Sequence, residues 1–278
     1  MLKLHDLPFG LYEKSIDPRL SWEGKFKTIK DAGYDYFEIA IDATPEKLAR
    51  LEDREEQIRI RRASEAFDTP LYTIAFTANR FFPLGSEDDE IRAEGIRLCK
   101  RALDFASFVG ASIINIASYD EYEKPRNRNT EHLFLESVKR CADHAAIRGV
   151  IIALETMDST FMDTTQKALM YVRAIGSPFL KIGADPGNIT AMGHNPVTDI
   201  PVGKEHIVKV EFKDTRPGMV RDVFFGEGTV DFGGCFKMLH EIGYQGFITA
   251  EMWYHPGAET QPDIVKAREF LKERMADY

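Results

Sequence analysis

Four acidic residues in the second half of the chain could do metal chemistry. Glu155, Asp185, Glu211 and Glu251 each interrupt an apolar run, and a lone carboxylate in such a place is costly to remove from water. Converging carboxylates stay ionised only if a cation lies among them. An all-oxygen ligand set suits Mn²⁺ or Mg²⁺ better than Zn²⁺, with Zn²⁺ or Co²⁺ as alternatives. The pattern predicts one divalent metal ion bound by these four side chains.

Neighbouring lysines leave a second interpretation open. Side chains alternate along a strand, so Lys209, Glu211 and Lys213 share one face. An internal ion pair with either lysine would neutralise Glu211 and remove it from the metal. The other three acids could likewise pair with lysines and have only a structural role at the strand ends. Four acids at the same place relative to consecutive strand ends favour the metal site over that alternative.

The elements that would position these acids follow a regular alternation of short β-rich runs and longer amphipathic stretches. Such alternation is typical of a parallel sheet built from βαβ units. Glycines before six of the runs predict helix ends in the left-handed conformation. The eight strand candidates are Phe9–Lys14, Tyr34–Asp42, Leu71–Ala78, Ser112–Tyr119, Val150–Met157, Leu180–Asp185, Ile207–Lys213 and Phe247–Trp253, and the six glycines are Gly33, Gly110, Gly149, Gly176, Gly203 and Gly243.

Helices are predicted between these strands. The amphipathic pattern is clearest over Asp88–Val109 and recurs over Glu131–Ile147 and Pro262–Met275. The heavily charged stretch Pro45–Phe67 predicts two helices, or one with a break.

Eight strands in 278 residues favour a closed (β/α)8 TIM barrel, with residues 1–278 as a single domain. An open doubly wound sheet is the alternative, but no strand–helix junction carries GxGxxG or GxxxxGK[ST]. Reactive residues of such barrels lie at the carboxyl ends of strands. The four acids fall at the ends of the last four strand candidates, so the fold would bring them to one rim.

The amino-acid composition argues against some classes of binding partner. A net charge of −9, from 36 basic and 45 acidic residues, argues against a nucleic-acid partner, which needs a basic surface. No apolar stretch approaches membrane-spanning length and no signal-like segment begins the chain, so we expect no membrane partner and a cytoplasmic location. Three cysteines without a CxxC pair exclude a disulfide framework. The sequence does not specify the oligomeric state, and a homodimer is only a prior, because homo-oligomers are common among such barrels.

Several motifs resemble one enzyme family. They are Gly10–Lys14, Phe82–Asp88 (FPLGSED), Glu155–Asp158, Asp185–Asn188, Phe212–Gly218, Phe225–Phe232 (FGEGTVDF) and Glu251–Trp253. In this order they resemble the L-ribulose-5-phosphate 3-epimerases, also called L-xylulose-5-phosphate 3-epimerases. These belong to the sugar-phosphate isomerase/epimerase superfamily. The similarity runs from about residue 9 to the end of the chain.

The resemblance implies a β/α barrel with one divalent metal held by a Glu, an Asp, a His and a second Glu at successive strand ends. That pattern carries over to Glu155, Asp185 and Glu251, while Glu211 occupies the histidine position. Members of the family also usually have a histidine directly before the arginine that lies two residues ahead of FPLGS. This sequence has Asn79 at that position. The first change adds negative charge to the metal site, and the second alters a substrate contact.

The same resemblance implies epimerisation of a ketopentose 5-phosphate, L-ribulose or L-xylulose 5-phosphate, at carbon 3 through an enediolate. It assigns Glu155 and Glu251 as the two catalytic bases, on opposite faces of the intermediate. Barrels often bind phosphate near their last two loops, so Lys213 and Arg216 are the preferred phosphate ligands. Arg80 and Lys14, which follow the third and first strands, are the other candidates, although each could equally be a solvated loop cation. The full set of expected substrate-binding residues is Tyr12, Asn79, Arg80, Asn188, Lys213, Arg216 and Trp253.

Three other functions stay open on the same barrel. One is an aldose–ketose isomerase, and another is a 3-epimerase of a different sugar, phosphorylated or unphosphorylated. The third is a non-catalytic binder of sugar phosphates. A phosphodiesterase of the endonuclease-IV type would need several zinc-binding histidines at strand ends and a basic DNA face, and the sequence provides neither.

Overall fold

A computed structural model describes residues 3–122, 124, 126–256 and 260–278. Over these ranges, eight parallel strands pair in chain order, and the last pairs with the first to close a barrel. The strands are β1 (Phe9–Tyr12), β2 (Tyr36–Ile41), β3 (Thr73–Phe76), β4 (Ile113–Ile116), β5 (Ile151–Glu155), β6 (Leu180–Ala184), β7 (Ile207–Phe212) and β8 (Phe247–Ala250). The (β/α)8 TIM barrel is confirmed.

Helices cover the outside of the barrel. They are α1 (Trp22–Asp31), α2 (Pro45–Ala49), α3 (Arg54–Ala66), α4 (Asp89–Val109), α5 (Arg128–Arg148), α6 (Thr165–Ile175), α7 (Pro186–Ala191), α8 (Pro196–Asp199), α9 (Phe232–Glu241) and α10 (Thr260–Met275). The break expected within Pro45–Phe67 lies between α2 and α3, where the carboxylate of Asp53 caps the start of α3.

The predicted strands extend beyond the observed ones at all eight carboxyl ends, because the chain leaves the sheet there to form the loops of the rim. Five of the six glycines have positive φ, as expected: Gly33, Gly110, Gly149, Gly176 and Gly243. The expectation for Gly203 is wrong. It ends a 3-10 helix over Ile200–Gly203 without positive φ, and an added Cβ there would lie 2.6 Å from Cγ2 of Thr165. Close packing, rather than a left-handed turn, therefore explains this glycine.

Strand residues are buried almost throughout, because helices cover the outer face and side chains fill the interior. The interior is not wholly apolar. Glu38 on β2 and Lys209 on β7 are fully buried inside it. These charges lie beneath the rim that carries the predicted site.

Within the described ranges, no helix is both long enough and apolar enough to cross a membrane.

Candidate active site

The structure brings the four predicted acids to one rim of the barrel. Glu155 ends β5, Asp185 directly follows β6, Glu211 lies near the end of β7 and Glu251 directly follows β8. All four are buried, with exposed fractions of 6%, 0%, 3% and 9%. Shared amide and ammonium partners connect them into one acidic cluster, which we define as these four residues together with Glu38.

Lys213 joins two members of the acidic cluster. Its Nζ lies 2.7 Å from Oδ2 of Asp185 and 2.7 Å from Oε2 of Glu251. The backbone holds Glu251 beside this lysine, because its N–H donates to the carbonyl of Phe212 at 2.8 Å. Lys213 was expected to bind phosphate, and it instead neutralises two of the predicted metal ligands here.

Lys209 joins the other side of the cluster. Its Nζ lies 2.7 Å from Oε2 of Glu38 and 2.8 Å from Oε2 of Glu211. The alternative that Glu211 pairs with Lys209 is therefore the arrangement found. Its role as a fourth metal ligand stays a prediction.

Asn115 on β4 holds two acids by hydrogen bonds. Its Nδ2 donates to Oε2 of Glu155 at 3.0 Å and to Oε2 of Glu211 at 3.1 Å. The amide has room only because residue 183 is glycine: a Cβ added to Gly183 would lie 2.1 Å from Oδ1 of Asn115. That Oδ1 is buried and has no hydrogen-bond partner among the described residues.

Asn188, expected to bind substrate, is engaged with the protein. Its backbone N–H donates to Oδ1 of Asp185 at 3.0 Å, since Asp185 caps α7. Its Nδ2 donates to the carbonyl of Thr156 at 2.9 Å and approaches Oε1 of Glu155 at 3.4 Å. Asn188 therefore orients two of the acids.

The acidic cluster contains more negative than positive charge, with five carboxylates around two ammonium groups. Burial, opposed by Lys213, raises the pKa of Glu155 to about 8 and that of Asp185 to about 6. Burial also raises the pKa of Glu211 well above its ordinary value, although Lys209 opposes it. Additional positive charge would stabilise the ionised forms.

The donor chemistry and this charge excess fit a divalent cation. The acids are not arranged to bind such a cation in this structure, because the ammonium of Lys213 contacts both Asp185 and Glu251. In the part of the chain that the structure describes, no three His, Cys, Asp or Glu side chains are arranged to hold a metal ion. Binding by these acids would therefore require the ammonium to move.

The remaining predicted substrate-binding residues are divided between the rim and the surface. Tyr12 and Asn79 are buried, and neither amide atom of Asn79 has a hydrogen-bond partner among the described residues. Arg80 is half-buried and lines a cavity at the barrel mouth. The ring centre of Trp253 lies 5.7 Å from Nζ of Lys213. Arg216 is exposed, and its guanidinium donates to the carbonyl of Glu227, so the structure does not bring it to the acids.

Three residues of this region were not identified from the sequence. Glu38 carries the same signal as the other acids, a single charge inside an apolar strand, and could have been found. Asn115 is a lone amide in the apolar strand Ile113–Ile116, a weaker form of that signal. Arg221 lines the same cavity at the barrel mouth as Arg80. It lies in an irregular loop, where no periodicity indicates which way a side chain points.

Comparison with known proteins shows the family of this chain. A family model described as a xylose isomerase-like TIM barrel matches residues 26–274. L-ribulose-5-phosphate 3-epimerase UlaE of Shigella sonnei (strain Ss046) is 36% identical over 271 residues, covering 97% of this chain and 95% of that protein.

Solved structures share the fold at lower identity. D-allulose 3-epimerase from Methylomonas sp. has a TM-score of 0.82 and 20% identity, over 96% of this chain and 98% of that one. An L-ribulose 3-epimerase has a TM-score of 0.81 and 16% identity, over 98% and 95%. The length and identity of the match to the curated relative carry the assignment: this chain belongs to the L-ribulose-5-phosphate 3-epimerase family of xylose isomerase-like TIM barrels.

Proposed function

We propose that this chain is a 3-epimerase of a ketopentose 5-phosphate, L-ribulose or L-xylulose 5-phosphate. Its family consists of isomerases that act on carbohydrates. The observation that carries the proposal is the pair Glu155 and Glu251, two buried acids from β5 and β8 that share one rim with Asp185. The name of the curated relative supports the choice of a phosphorylated ketopentose.

The reaction needs a base and an acid on opposite faces of carbon 3. The proton on that carbon is weakly acidic because a carbonyl lies beside it. One glutamate accepts the proton and leaves a flat enediolate, and the other donates a proton to the opposite face. One proton is removed and one returned, so the configuration changes without change in composition. Asn115 and Asn188 hold Glu155 by hydrogen bonds, which fixes the direction of its carboxylate.

The proposal includes one divalent metal ion, Mn²⁺ or Mg²⁺, with Zn²⁺ or Co²⁺ as alternatives. Glu155, Asp185 and Glu251 would hold it, with Glu211 as the fourth ligand. When bound, such an ion polarises a ketose carbonyl and stabilises the charge that develops on its oxygen. The ammonium of Lys213 would have to leave Asp185 and Glu251 when these acids bind the ion.

Hydrogen exchange at carbon 3 tests the proposal. The protein with Mn²⁺ is incubated in D₂O with L-ribulose 5-phosphate, L-xylulose 5-phosphate or the unphosphorylated ketopentoses, and NMR locates the deuterium. We expect deuterium at carbon 3 and formation of the 3-epimer. Deuterium at carbon 1 or 2, with an aldose product, would identify an aldose–ketose isomerase instead. Faster exchange with the unphosphorylated sugar would identify a different 3-epimerase.

One observation favours the non-catalytic binder as a second candidate. Lys213 already neutralises Asp185 and Glu251, as a site without metal would require. Metal analysis after incubation with Mn²⁺ and gel filtration separates the two functions. A protein that binds a ketopentose 5-phosphate but retains no metal and exchanges no carbon-bound hydrogen would be a binder.

A further inference from the structure

All but the last residue of the motif Phe225–Phe232 (FGEGTVDF) lie in the loop that joins β7 to α9, residues 213–231. We call this segment the β7 loop. No residue of the motif belongs to the acidic cluster. The first half of the motif instead folds back onto Asp214, which directly follows Lys213 in the chain. The motif therefore contacts the chain one residue away from the lysine that pairs with Asp185 and Glu251.

Asp214 is a buried carboxylate, 3% exposed, that the main chain surrounds. Its four hydrogen-bond donors among the described residues are all backbone N–H groups. Those of Gly226 and Gly228 donate to Oδ2 at 2.8 and 2.9 Å, and those of Thr215 and Val230 donate to Oδ1 at 2.9 and 3.4 Å. A carboxylate accepts on both oxygens, whereas the amide of an asparagine would turn an N–H donor toward two of these groups. One side chain thus closes the base of the β7 loop.

Two glycines of the motif allow this close contact. A Cβ added to Gly228 would lie 2.0 Å from Oδ1 of Asp214, so no other residue fits there without displacing the carboxylate. Gly226 has a φ of 92°, which side chains other than hydrogen rarely allow. The contact with Asp214 therefore explains the glycines of the Gly-Glu-Gly segment.

The residues on either side of Asp214 pack against the start of α7. A Cβ added to Gly187 would lie 2.6 Å from Cγ of Lys213, so the stem of this lysine lies directly against the glycine. Oγ1 of Thr215 donates to the carbonyl of Gly187 at 2.8 Å. Lys213 thus leaves the main chain from a segment that α7 holds on one side and the returning β7 loop holds on the other.

The tip of the β7 loop lies against the loop that follows β8. The guanidinium of Arg221 lies 5.7 Å from the ring centre of Trp253, and the ring centres of Phe224 and His255 are 5.3 Å apart. Nε2 of His255 also lies 3.8 Å from Oδ1 of Asp222. These contacts are at the surface, whereas the contacts of Asp214 at the base are buried. The base therefore determines where the loop lies.

We propose that Asp214 is a positioning residue of the active site. Its carboxylate fixes the base of the β7 loop, and through the loop it keeps the stem of Lys213 at the edge of the acidic cluster. The proposal rests on the proposed function and adds to it a residue that acts through another side chain. Groups around a reacting carbon must keep their geometry closely, because a displacement of about 1 Å can cost about a hundredfold in rate.

Trypsin cleavage after Arg221, at the tip of the loop, tests the proposal without any substrate. Wild-type, Asp214→Asn and Gly228→Ala proteins are digested under native conditions, and mass spectrometry follows the fragments 1–221 and 222–278. We expect cleavage at least about tenfold faster in both variants, because each opens the base of the loop. Two matched controls should be cleaved at the wild-type rate: Asp53→Asn, at the cap of α3, and Gly233→Ala, where an added Cβ makes no close contact among the described residues. Equal rates in all five proteins would overturn the proposal.

Hydrogen exchange of the wild-type protein decides the point even if a variant does not fold. The amide N–H groups of Gly226 and Gly228 should exchange at least about a hundredfold more slowly than in an unstructured chain, because Asp214 holds them. NMR measures both rates. Exchange of both amides at the rate of an unstructured chain would contradict the fixed base.

Exchange at carbon 3 tests whether Asp214 acts through Lys213. We expect Asp214→Asn to lower kcat at least about tenfold with little change in KM, since orientation is lost rather than binding. In the Lys213→Met background the same change should lower kcat less than about twofold, because a residue that acts through Lys213 has no effect once that lysine is removed. Equal factors in the two backgrounds would show that Asp214 does not act through Lys213.

The two kinds of measurement separate failure of this proposal from failure of the proposed function. Faster cleavage after Arg221 in the variants, without exchange at carbon 3 in the wild-type protein, would sustain the fixed loop and reject the epimerase. Exchange at carbon 3 in the wild-type protein, with an unchanged kcat in Asp214→Asn, would reject the positioning role of Asp214 and leave the epimerase in place.

Discussion

Nζ of Lys213 lies 2.7 Å from Oε2 of Glu251, so the residue after β7 neutralises the proposed catalytic acid after β8. The same nitrogen lies 2.7 Å from Oδ2 of Asp185. Two proposed metal ligands thus share one monovalent cation. The burial of Lys213 would lower its pKa, but the carboxylates of Asp185 and Glu251 outweigh that effect and raise it. The lysine is therefore charged at neutral pH and competes with a metal ion for these oxygens.

Replacing this lysine should strengthen metal binding. We expect Lys213→Met to bind Mn²⁺ at least about tenfold more tightly, because the competing ammonium is absent. Without metal, the variant should lose about 3 kcal/mol of unfolding free energy, since two buried carboxylates lose their partner. Saturating Mn²⁺ should restore most of that loss. Titration of free Mn²⁺ by electron paramagnetic resonance and urea unfolding with and without Mn²⁺ measure both effects.

The matched control is Lys237→Met, which removes an exposed lysine of α9. It should change neither Mn²⁺ affinity nor stability by a measurable amount. Equal Mn²⁺ affinity in Lys213→Met and the wild-type protein would show that the ammonium does not compete with the ion.

Each proposed catalytic acid should be indispensable to exchange at carbon 3. Glu155→Gln and Glu251→Gln keep the side-chain volume and remove the proton acceptor, so we expect the exchange rate to fall more than about a hundredfold. Circular dichroism should remain that of the wild-type protein. Glu136→Gln, an exposed position on α5, serves as the control. If one of the two variants kept more than about a tenth of the rate, that residue would not be a base.

The packing of Asn115 against Gly183 gives a third prediction. A methyl group at position 183 would lie 2.1 Å from Oδ1 of Asn115, so Gly183→Ala must displace the amide that holds Glu155 and Glu211. We expect kcat to fall about tenfold with little change in KM, since orientation of the acid is lost rather than substrate binding. Overpacking should cost about 1–3 kcal/mol of stability, measurable by urea unfolding.

Gly24→Ala is the control for that variant, because Gly24 lies on α1 and a Cβ there makes ordinary contacts of 3.4 Å or more. It should be neutral or slightly stabilising. A Gly183→Ala protein with unaltered kcat would mean that Asn115 does not position the acids.

The barrel and its acidic rim could be predicted from the sequence, because both depend on local patterns. Apolar runs marked the eight strands, and a single charge at the end of such a run marked Glu155, Asp185, Glu211 and Glu251. Which lysine pairs with which acid could not be predicted. Lys209 and Lys213 share a face, yet Lys209 contacts Glu38 on a strand far away in sequence. That contact depends on barrel geometry, which alternation within one strand does not specify.

The cationic residues of the mouth were harder to predict, because irregular loops carry them. Arg216 and Arg221 lie in the same loop after β7, and the sequence gives no reason to prefer one. In the structure Arg216 donates to a carbonyl of its own loop, whereas Arg221 lines the cavity at the barrel mouth beside Arg80. Loop conformation therefore decides which cation can meet a substrate.

A buried ion cluster beneath the mouth gives the last prediction. Glu13 accepts from Nζ of Lys25 at 2.6 Å, from Nη1 of Arg50 at 2.7 Å and from the backbone N–H of Ala40 at 2.9 Å. Burial alone would raise the pKa of Glu13, but Arg50 and Lys47 outweigh it and hold that pKa far below its ordinary value of 4.5. The ionised carboxylate therefore stabilises the fold.

A carboxylate whose pKa is lower in the folded protein than in the unfolded protein stabilises the fold at pH values above its unfolded-state pKa. This stabilisation is lost as pH falls through its folded-state pKa. For Glu13→Gln we expect a loss of about 3 kcal/mol at pH 7, since two buried cations lose their ionised partner. The difference from wild type should shrink as pH falls below 4.5, where the native protein also loses this contribution. Urea unfolding at pH 7, 5, 4 and 3 measures the difference in unfolding free energy. The control is Glu65→Gln, a change at an exposed position of α3. A difference that stays constant from pH 7 to pH 3 would show that the charge of Glu13 does not stabilise the fold.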